Sequence, residues 1–331
     1  MHITVYNQRI GGAFGGRSLC QASVQAAWLA RELGQPVKVQ WSREDEFRYN
    51  YVGPQFSTRV DAGLDADGRI AYWHHRMAGA PVLTSSMFIP GYLQWLADLP
   101  PDPGTARGTR LPYDIANHKV EFADVRVPMP TGPWRGLGAA ANTFAVESAM
   151  DELALAADAD PIDFRIKHAA DERLTGVLER LRAQLATSDA GPIGVAATAY
   201  KGVTFVALAV EMVKASSKPQ VKRIWCVHDC GEMVAPDQVR AQVEGNLAWG
   251  LSMALLESFE LENGIAATEN FHNDPIARMY DIPALHIELV DSNAPASGAG
   301  EAAIAPAAAA IANAVLRATG RRYRQLPIRY G

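Results

Sequence analysis

The 331-residue sequence is poor in cysteine, has no block of charge of one sign and shows no leader pattern at its first residues. Lysine and arginine total 31 against 36 aspartates and glutamates, a net charge of −5. Neither nucleic acid nor an anionic membrane is therefore indicated as a partner. No apolar stretch reaches the roughly 18–20 residues that cross a bilayer. Without a visible secretory signal, we expect a cytoplasmic location, or a periplasmic one if a partner chain carries an export signal.

The three cysteines, at positions 20, 226 and 230, form no C-x-x-C pair. An iron–sulfur cluster needs about four cysteine thiolates, so this chain alone cannot hold one. Cys226 and Cys230 are expected to be small buried residues. The eight histidines show no metal-ligand spacing, so no metal ion held by protein side chains is predicted.

The spacing of apolar residues predicts an α+β protein with mixed sheets and packed helices. A weak composition change at residues 186–194 divides the chain into predicted domains 1–188 and 189–331. The predicted strands and hairpin cover residues 3–10, 36–45, 57–79, 118–130, 202–213 and 221–230. The predicted helices cover residues 18–34, 141–160 with Asn142 as a possible cap, a segment from Pro161, 236–257 and 306–320.

Residues 11–17 read GGAFGGR, with two glycines on one side of Phe14 and two on the other. Such a loop implies that its backbone approaches something flat or anionic; a tight turn in a crowded core is the open alternative. The dinucleotide fingerprint G-x-G-x-x-G fails, because Ala13 stands where the second glycine is required. A phosphate-binding P-loop fails too, because the G-K-[ST] ending is missing.

Two further stretches carry glycine beside polar groups. In TGPWRGLG, Arg135 stands between an aromatic residue and glycine, which suits a fork-like donor to a phosphate or oxo group. An ordinary surface arginine remains the alternative. The predicted helix 236–257 carries Gln242, and also Gly245 and Gly250, each of which lowers helix propensity by about 1 kcal/mol relative to alanine. Close contact between helices would also explain both glycines.

The fourth stretch, SGAGEAAIAP, places Glu301 directly after Gly298 and Gly300 and before a helix predicted to open at Pro306. Its neighbours are small and apolar, so the carboxylate is expected to be partly desolvated, as a general base requires. A solvent-exposed glutamate remains the alternative.

In this order, four segments closely resemble the molybdenum-binding large subunit of the xanthine dehydrogenase/aldehyde oxidase family: GGAFGGR, PTGPWRGLGAAANTFAVESAMDELA, DCGEMVAPDQVRAQVEG and GAGEAAIAPAAAAIANAV. Three others are similar to the branch of isoquinoline 1-oxidoreductase β subunits: LPYDIANHKVEF, ENFHNDPIARMYDIP and ATGRRYRQLPI. The resemblance runs from about residue 3 to residue 329. It implies two molybdenum-cofactor-binding domains, the second of which carries Glu301.

The resemblance also implies roles for individual residues. Glu301 matches the family glutamate that takes a proton from a molybdenum-bound hydroxide, after which the activated oxygen attacks an electron-poor carbon. The metal is held by a pterin, expected in its cytosine dinucleotide form. The implied cofactor-binding residues are Gly12, Ala13, Phe14, Gly15, Gly16, Arg135, Gly136, Gln242, Gly298 and Gly300.

The implied reaction is oxidation of an N-heteroaromatic compound or an aldehyde, with water as the oxygen source. The resemblance covers only the C-terminal half of the family's large subunit. It therefore implies one partner chain that supplies the N-terminal half and a small [2Fe-2S] subunit that takes the electrons. A non-catalytic structural or remnant subunit without cofactor is the alternative. Ala13 departs from the family's usual glycine, and Ser18 replaces the acidic residue of the purine-oxidising branch, which argues against xanthine as substrate.

Overall fold

The computed structural model describes residues 4, 6, 9–18, 20–85, 89, 91–93, 102–127, 129–213 and 218–329. The helices are α1 (Gln21–Leu33), α2 (Arg43–Tyr49), α3 (Ala139–Ala156), α4 (Pro161–His168), α5 (Glu172–Ala186), α6 (Pro236–Leu255) and α7 (Ala307–Thr319). The strands are β1 (Phe56–Leu64), β2 (Ile70–Gly79), β3 (His118–Asp124), β4 (Ile193–Tyr200), β5 (Thr204–Met212), β6 (Val221–Asp229), β7 (Leu261–Glu262), β8 (Ile265–Ala266) and β9 (Ala284–Leu289). The predicted α+β class with mixed sheets is confirmed.

The first sheet has the order β1–β2–β3. β1 and β2 form the predicted antiparallel hairpin, whereas β3 pairs with β2 in parallel. Trp73, His75 and Met77 of β2 are buried, as expected where alternate side chains of a strand face the core. The neighbouring His74 points to the other face and pairs with Glu121 of β3.

The second sheet has the order β4–β5–β6–β9, antiparallel except for the β6–β9 pair. Every residue of β5 is buried, which requires cover on both faces of the sheet and explains its continuous apolar run. Residues of α6 and α7 pack in one apolar cluster with alternate residues of the sheet. Residues of α3, α4 and α5 pack in a second apolar cluster with the alternate residues that face the opposite side of this sheet.

This second cluster joins the two sheets, because it contains Trp73 of β2 together with Trp225 and Val227 of β6. Within this cluster lies an ion pair whose two side chains are both fully buried. Glu147 of α3 accepts hydrogen bonds from Arg165 Nε of α4 at 2.8 Å, from Tyr113 Oη at 2.6 Å and from the backbone nitrogen of Ala197 at 2.8 Å. Packing across the predicted boundary at residue 188 is therefore extensive, and that boundary stays a prediction.

Several helix ends follow the sequence signals. α1 ends at Gly34 with φ +67°, the left-handed conformation that glycine adopts most readily. α4 begins at Pro161 after the capping side chain of Asp160, and α6 begins at Pro236. α7 begins one residue after Pro306 and ends before Gly320.

Two local predictions are wrong, and half of a third lies outside the described residues. Residues 36–45 do not form a strand: residues 36–41 are irregular, and Ser42 and Asp45 make a reciprocal capping box that begins α2. Asn142 does not cap α3; it lies inside the helix and donates from Nδ2 to Thr105 O at 3.1 Å and Arg107 O at 2.8 Å. Residues 3, 5, 7 and 8 of the predicted N-terminal strand are not described.

One segment, Ala302–Thr319, is apolar and long enough to cross a membrane by length and composition, contrary to the sequence expectation. In this structure 78% of it is buried. It comprises the short 3₁₀ turn Ala302–Ile304 and α7, and its alanines let the helix lie close to the sheet. The burial is that of a core helix.

We expect two glycine-to-alanine substitutions to have opposite effects on the free energy of unfolding. A Cβ at Gly194 of β4 would lie 2.0 Å from Ala314 N and 2.3 Å from Ala310 O of α7. Since backbone atoms cannot rotate away, G194A should destabilise the protein by about 3 kcal/mol. Gly176 in α5 has no neighbour within 4 Å of such a Cβ, so G176A should stabilise it by about 0.5–1 kcal/mol. Urea unfolding measures both, and a G194A protein as stable as the parent would contradict the close packing.

Candidate functional site

Arg135 is the point at which three distant segments meet. Its side chain is 5% exposed. Nε donates to the carbonyl of Gly300 at 2.8 Å, and Nη2 donates to Gln242 O at 3.3 Å and Gln242 Oε1 at 3.0 Å. A Cβ at Gly245, one helical turn beyond Gln242, would lie 3.5 Å from Arg135 Nη1, an ordinary van der Waals distance, so the guanidinium lies directly beside this part of α6. The loop 131–138 is thereby joined to α6 and to the loop before α7.

Aromatic rings cover the Arg135 guanidinium. Its central carbon lies 5.0 Å from the ring centre of Phe14 and 5.7 Å from that of Trp249 of α6. The two rings contact each other edge to face with centroids 5.2 Å apart, and Trp134 lies 5.7 Å from Trp249. A guanidinium between aromatic faces gains cation–π attraction, so Phe14 contributes directly to holding Arg135.

The glycine-rich loop reaches Arg135 because its backbone lies directly on the loop 131–138. A Cβ on Gly15, whose φ is +102°, would stand 2.3 Å from Pro133 O, so only glycine fits there. Tyr51 donates its hydroxyl to Gly15 O, and Gly16 N donates to Ala13 O at 2.8 Å. Phe14 has φ +49°, an uncommon conformation for a non-glycine residue.

Glu301 lies beside this junction and is held by donors from two segments. Gly136 N donates to its Oε2 at 3.2 Å, and the hydroxyl of Tyr200 at the end of β4 donates to its Oε1 at 2.5 Å. Arg107 Nη1 lies 3.6 Å from Oε1. The Glu301 side chain is 34% exposed, so it remains accessible from one side.

The loop that carries Arg107 is organised by a buried carboxylate. Asp102 accepts from the backbone nitrogens of Val82, Leu83 and Thr84, from the Thr84 hydroxyl, and from the backbone nitrogens of Gly104 and Thr105. Asn142 holds the same loop on α3. Burial raises the pKa of Asp102, but hydrogen bonds from Thr84, Thr105 and Gly104 outweigh it and hold the pKa below its usual range.

The loop before α7 is anchored to the second sheet. Thr204, the first residue of β5, donates to Gly298 O at 3.0 Å, and its hydroxyl lies 2.7 Å from that of Ser297. Gly231 packs against this loop so closely that a Cβ would stand 2.2 Å from Pro295 O. Asn246 of α6 donates to Gly300 O at 3.3 Å. These contacts set the direction in which Glu301 leaves the loop.

Burial and neighbours shift two ionisable groups at the site. Burial raises the pKa of Tyr200 well above that of a free phenol, and the hydrogen bond to Glu301 adds to the increase while Arg107 opposes it. Burial lowers the pKa of Arg135 and Glu301 opposes that change; an arginine nevertheless remains protonated. Tyr200 is therefore a neutral hydrogen-bond donor at neutral pH.

Of the predicted site residues, the structure brings together Phe14, Gly15, Arg135, Gly136, Gln242, Gly300 and Glu301. Gly12, Ala13, Gly16 and Gly298 lie next to these residues in their loops, without a contact to Arg135 or Glu301 among the described hydrogen bonds. The roles assigned to all of them in binding a cofactor stay predictions.

Sequence reasoning missed Tyr200, Arg107, Trp249 and Asn246. Tyr200 and Arg107 lie far from the four motifs in the sequence, and nothing around them marks a site. The helical residues could have been found, because Gln242, Asn246 and Trp249 are spaced by four and three positions and therefore share a helix face.

The site suits a cofactor that brings its own metal ligands. The described residues contain no group of three or more His, Cys, Asp or Glu side chains that could hold a metal ion. Apart from their chain neighbours, no described atom comes within 4 Å of a Cβ built on Gly298 or Gly300, and Phe14 is 46% exposed. Open space beside glycine backbone, a part-exposed carboxylate and an aromatic ring fits a flat pterin and its metal.

Comparison with known proteins identifies the family. Residues 1–169 match a molybdopterin cofactor-binding domain, and residues 119–283 match a second domain of this description. The chain belongs to the molybdopterin cofactor-binding domain family. The resemblance predicted from the four ordered motifs is thus confirmed, and so are the two cofactor-binding domains.

Individual relatives support the same family assignment. The isoquinoline 1-oxidoreductase β subunit of Brevundimonas diminuta is 34% identical over 99% of this chain and 43% of its own length. A nicotinate dehydrogenase subunit of Pseudomonas putida is 31% identical over 98% of this chain and 29% of its own length. The solved structure of the Desulfovibrio gigas aldehyde oxidoreductase matches with a TM-score of 0.81 at 17% identity, over 96% of this chain and 53% of that chain, which shows a shared fold. This chain spans less than half the length of both curated relatives.

We expect Asp102→Asn to reduce stability at neutral pH by about 2 kcal/mol, since the amide loses charge-assisted hydrogen bonds from buried donors. A carboxyl whose folded pKa is depressed contributes stability above its unfolded pKa, near 3.9, and that stability is lost as the pH falls through the folded pKa. The difference between parent and variant should therefore shrink in acid. Urea unfolding from pH 7 to pH 3 measures it, with the exposed Asp291→Asn as control. A difference that stays constant with pH would contradict the role of the Asp102 charge.

Proposed function

We propose that this chain is the part of a molybdenum hydroxylase large subunit that carries the general base, and that it acts in a complex with partner chains. The proposed reaction oxidises an N-heteroaromatic compound or an aldehyde with water as the oxygen source. The main support is that Glu301 lies at the junction of Arg135, Gly136 and the Phe14 loop. Residues from three distant segments meet around one accessible carboxylate.

The bound cofactor, a molybdenum–pterin proposed in its cytosine dinucleotide form, would supply a two-electron acceptor and an activated site for water. Phe14 and the adjoining glycines, with the Arg135–Gly136 loop, would form the protein surface against it. Gln242, held by Arg135, would face the dinucleotide portion. The open backbone at Gly298 and Gly300 would allow close approach.

The chain's own chemical contribution is proton transfer by Glu301. A carboxylate has about four acceptor positions on its two oxygens, and the hydrogen bonds from Gly136 and Tyr200 occupy two of them. The remaining positions can take up the proton that the water-derived nucleophile gives up.

The two electrons per turnover are proposed to leave through another chain. Cys226 and Cys230 are buried in this structure and Cys20 is exposed, and three thiols cannot hold a four-cysteine cluster. The electron-accepting partner that we propose is therefore a small [2Fe-2S] subunit.

A second partner is proposed to supply the N-terminal half of the large subunit. None of the described residues up to Asn50 is buried, although α1 carries apolar side chains. Val24 is 70% exposed and Trp28 is 56% exposed, and their spacing of four residues puts them on one face of α1. The proposed partner covers this face of α1, the helix that follows the Phe14 loop in the sequence.

We expect Glu301→Gln to leave the molybdenum content of the assembled enzyme unchanged while kcat falls by several orders of magnitude, on the order of 10²–10⁴-fold. The amide keeps the size of the side chain but cannot take up a proton. Glu262→Gln, an exposed glutamate of β7, is the matched control and should leave kcat unchanged. Elemental analysis and steady-state kinetics provide the two readouts. A mild effect of E301Q would disprove the role as base, and molybdenum missing from every assembly would support the remnant alternative.

We expect the isolated chain to self-associate or bind an apolar dye through α1, and Trp28→Glu to reduce both. The substitution replaces an exposed apolar ring by a charge on a helix with no buried residue, so the fold itself should be unaffected. Sedimentation velocity and dye fluorescence measure the change, with Glu32→Gln on the same helix as control. An isolated chain that is cleanly monomeric and binds no dye would count against the missing partner.

A further inference from the structure

We propose that Tyr200 is a positioning residue for Glu301, and that Arg107 fixes the direction of its hydroxyl. The catalytic consequence rests on the proposed function, whereas the contact itself does not. The three residues come from different parts of the fold: the loop 102–108, the end of β4 and the loop before α7. Their convergence on one carboxylate oxygen is the observation that carries the inference.

The hydrogen-bond direction follows from the chemistry of the groups. Arg107 Nη1 lies 3.2 Å from the Tyr200 oxygen, and a guanidinium can only donate. Tyr200 Oη therefore accepts from Arg107 and has a single proton left to give. That proton points to Glu301 Oε1 at 2.5 Å, so the order of donation is Arg107 to Tyr200 to Glu301.

Glu301 needs such support because its own loop provides little. Its side chain has several rotatable bonds, and fixing them costs about 1.5–2 kcal/mol in entropy. Apart from the chain neighbours of Gly300, no described atom lies within 4 Å of a Cβ built there, so the described residues offer no packing on that side of the loop. The Gly136 backbone holds only Oε2. A second donor on Oε1 fixes the carboxylate plane.

Tyr200 is suited to this task because its position is rigid. It is 5% exposed, it ends a strand that pairs along its whole length with β5, and its ring belongs to the apolar cluster with α6 and α7. Arg107 also lies over this ring, with its central carbon 5.8 Å from the ring centre. A catalytic group gains rate when a rigid support holds it within a fraction of an ångström of the productive geometry.

The direct test is Tyr200→Phe in the assembled enzyme, which removes the hydroxyl and keeps the ring. We expect kcat to fall on the order of 10–100-fold while KM and molybdenum content change by less than about two-fold, since the lost bond touches neither substrate nor metal. Tyr113→Phe is the matched control, because Tyr113 makes an equivalent buried bond to Glu147, at 2.6 Å. It should lower stability without lowering kcat.

A second measurement needs no activity. The 331-residue chain is labelled with ¹³C at the tyrosine ζ carbon, and the resonance that disappears in Tyr200→Phe is assigned to Tyr200. This resonance should move in Glu301→Gln and stay in place in Glu262→Gln. An unmoved resonance in E301Q would overturn the contact whether or not the enzyme is active. A moved resonance with unchanged kcat in Tyr200→Phe would overturn the positioning role. An assembly that binds molybdenum yet turns over none of the proposed substrate classes, with the resonance moved, would refute the proposed function alone.

Discussion

The hydrogen bond from Arg135 Nε to the carbonyl of Gly300 is the constraint on which the site depends. It joins segments 165 positions apart in the chain, and the same guanidinium holds Gln242 and lies over Phe14. Since a buried guanidinium must satisfy its donors, these backbone carbonyls cannot drift away from it. Glu301 follows Gly300 directly, so the arginine fixes the base of its side chain while Gly136, Tyr200 and Arg107 fix the tip.

Rigid cores on both faces of the second sheet make this arrangement possible. The Glu147–Arg165 pair and its partners join α3, α4 and β4 on one side. On the other side, a Cβ at Gly250 would stand 2.4 Å from the Cβ of Ala307, so α6 and the start of α7 lie in close contact. Three loops form the site: 102–108, 131–138 and the loop before α7. Each is held by a buried polar side chain, Asp102, Arg135 and Thr204 respectively.

Much of the fold could be predicted from the sequence, because periodicity and caps are local: the hairpin, α6 and α7 all follow from residues within each segment. The segment 36–45 could not, since alternation indicates a strand only where a neighbouring strand exists to pair with it. The motifs around Arg135 and Glu301 were visible, but their joint geometry depends on contacts between distant segments. Tyr200 and Arg107 were missed for that reason, and Asn142 was misassigned because a polar residue near a helix start resembles a cap.

We propose that the junction of Phe14, Arg135 and Glu301 faces a pterin-held metal. The most direct test is anomalous diffraction at the molybdenum absorption edge from crystals of the assembled protein. We expect a single strong peak in the space bordered by the Phe14 ring, the Arg135–Gly136 loop and the Glu301 carboxylate. A molybdenum peak elsewhere, with this space empty, would contradict it.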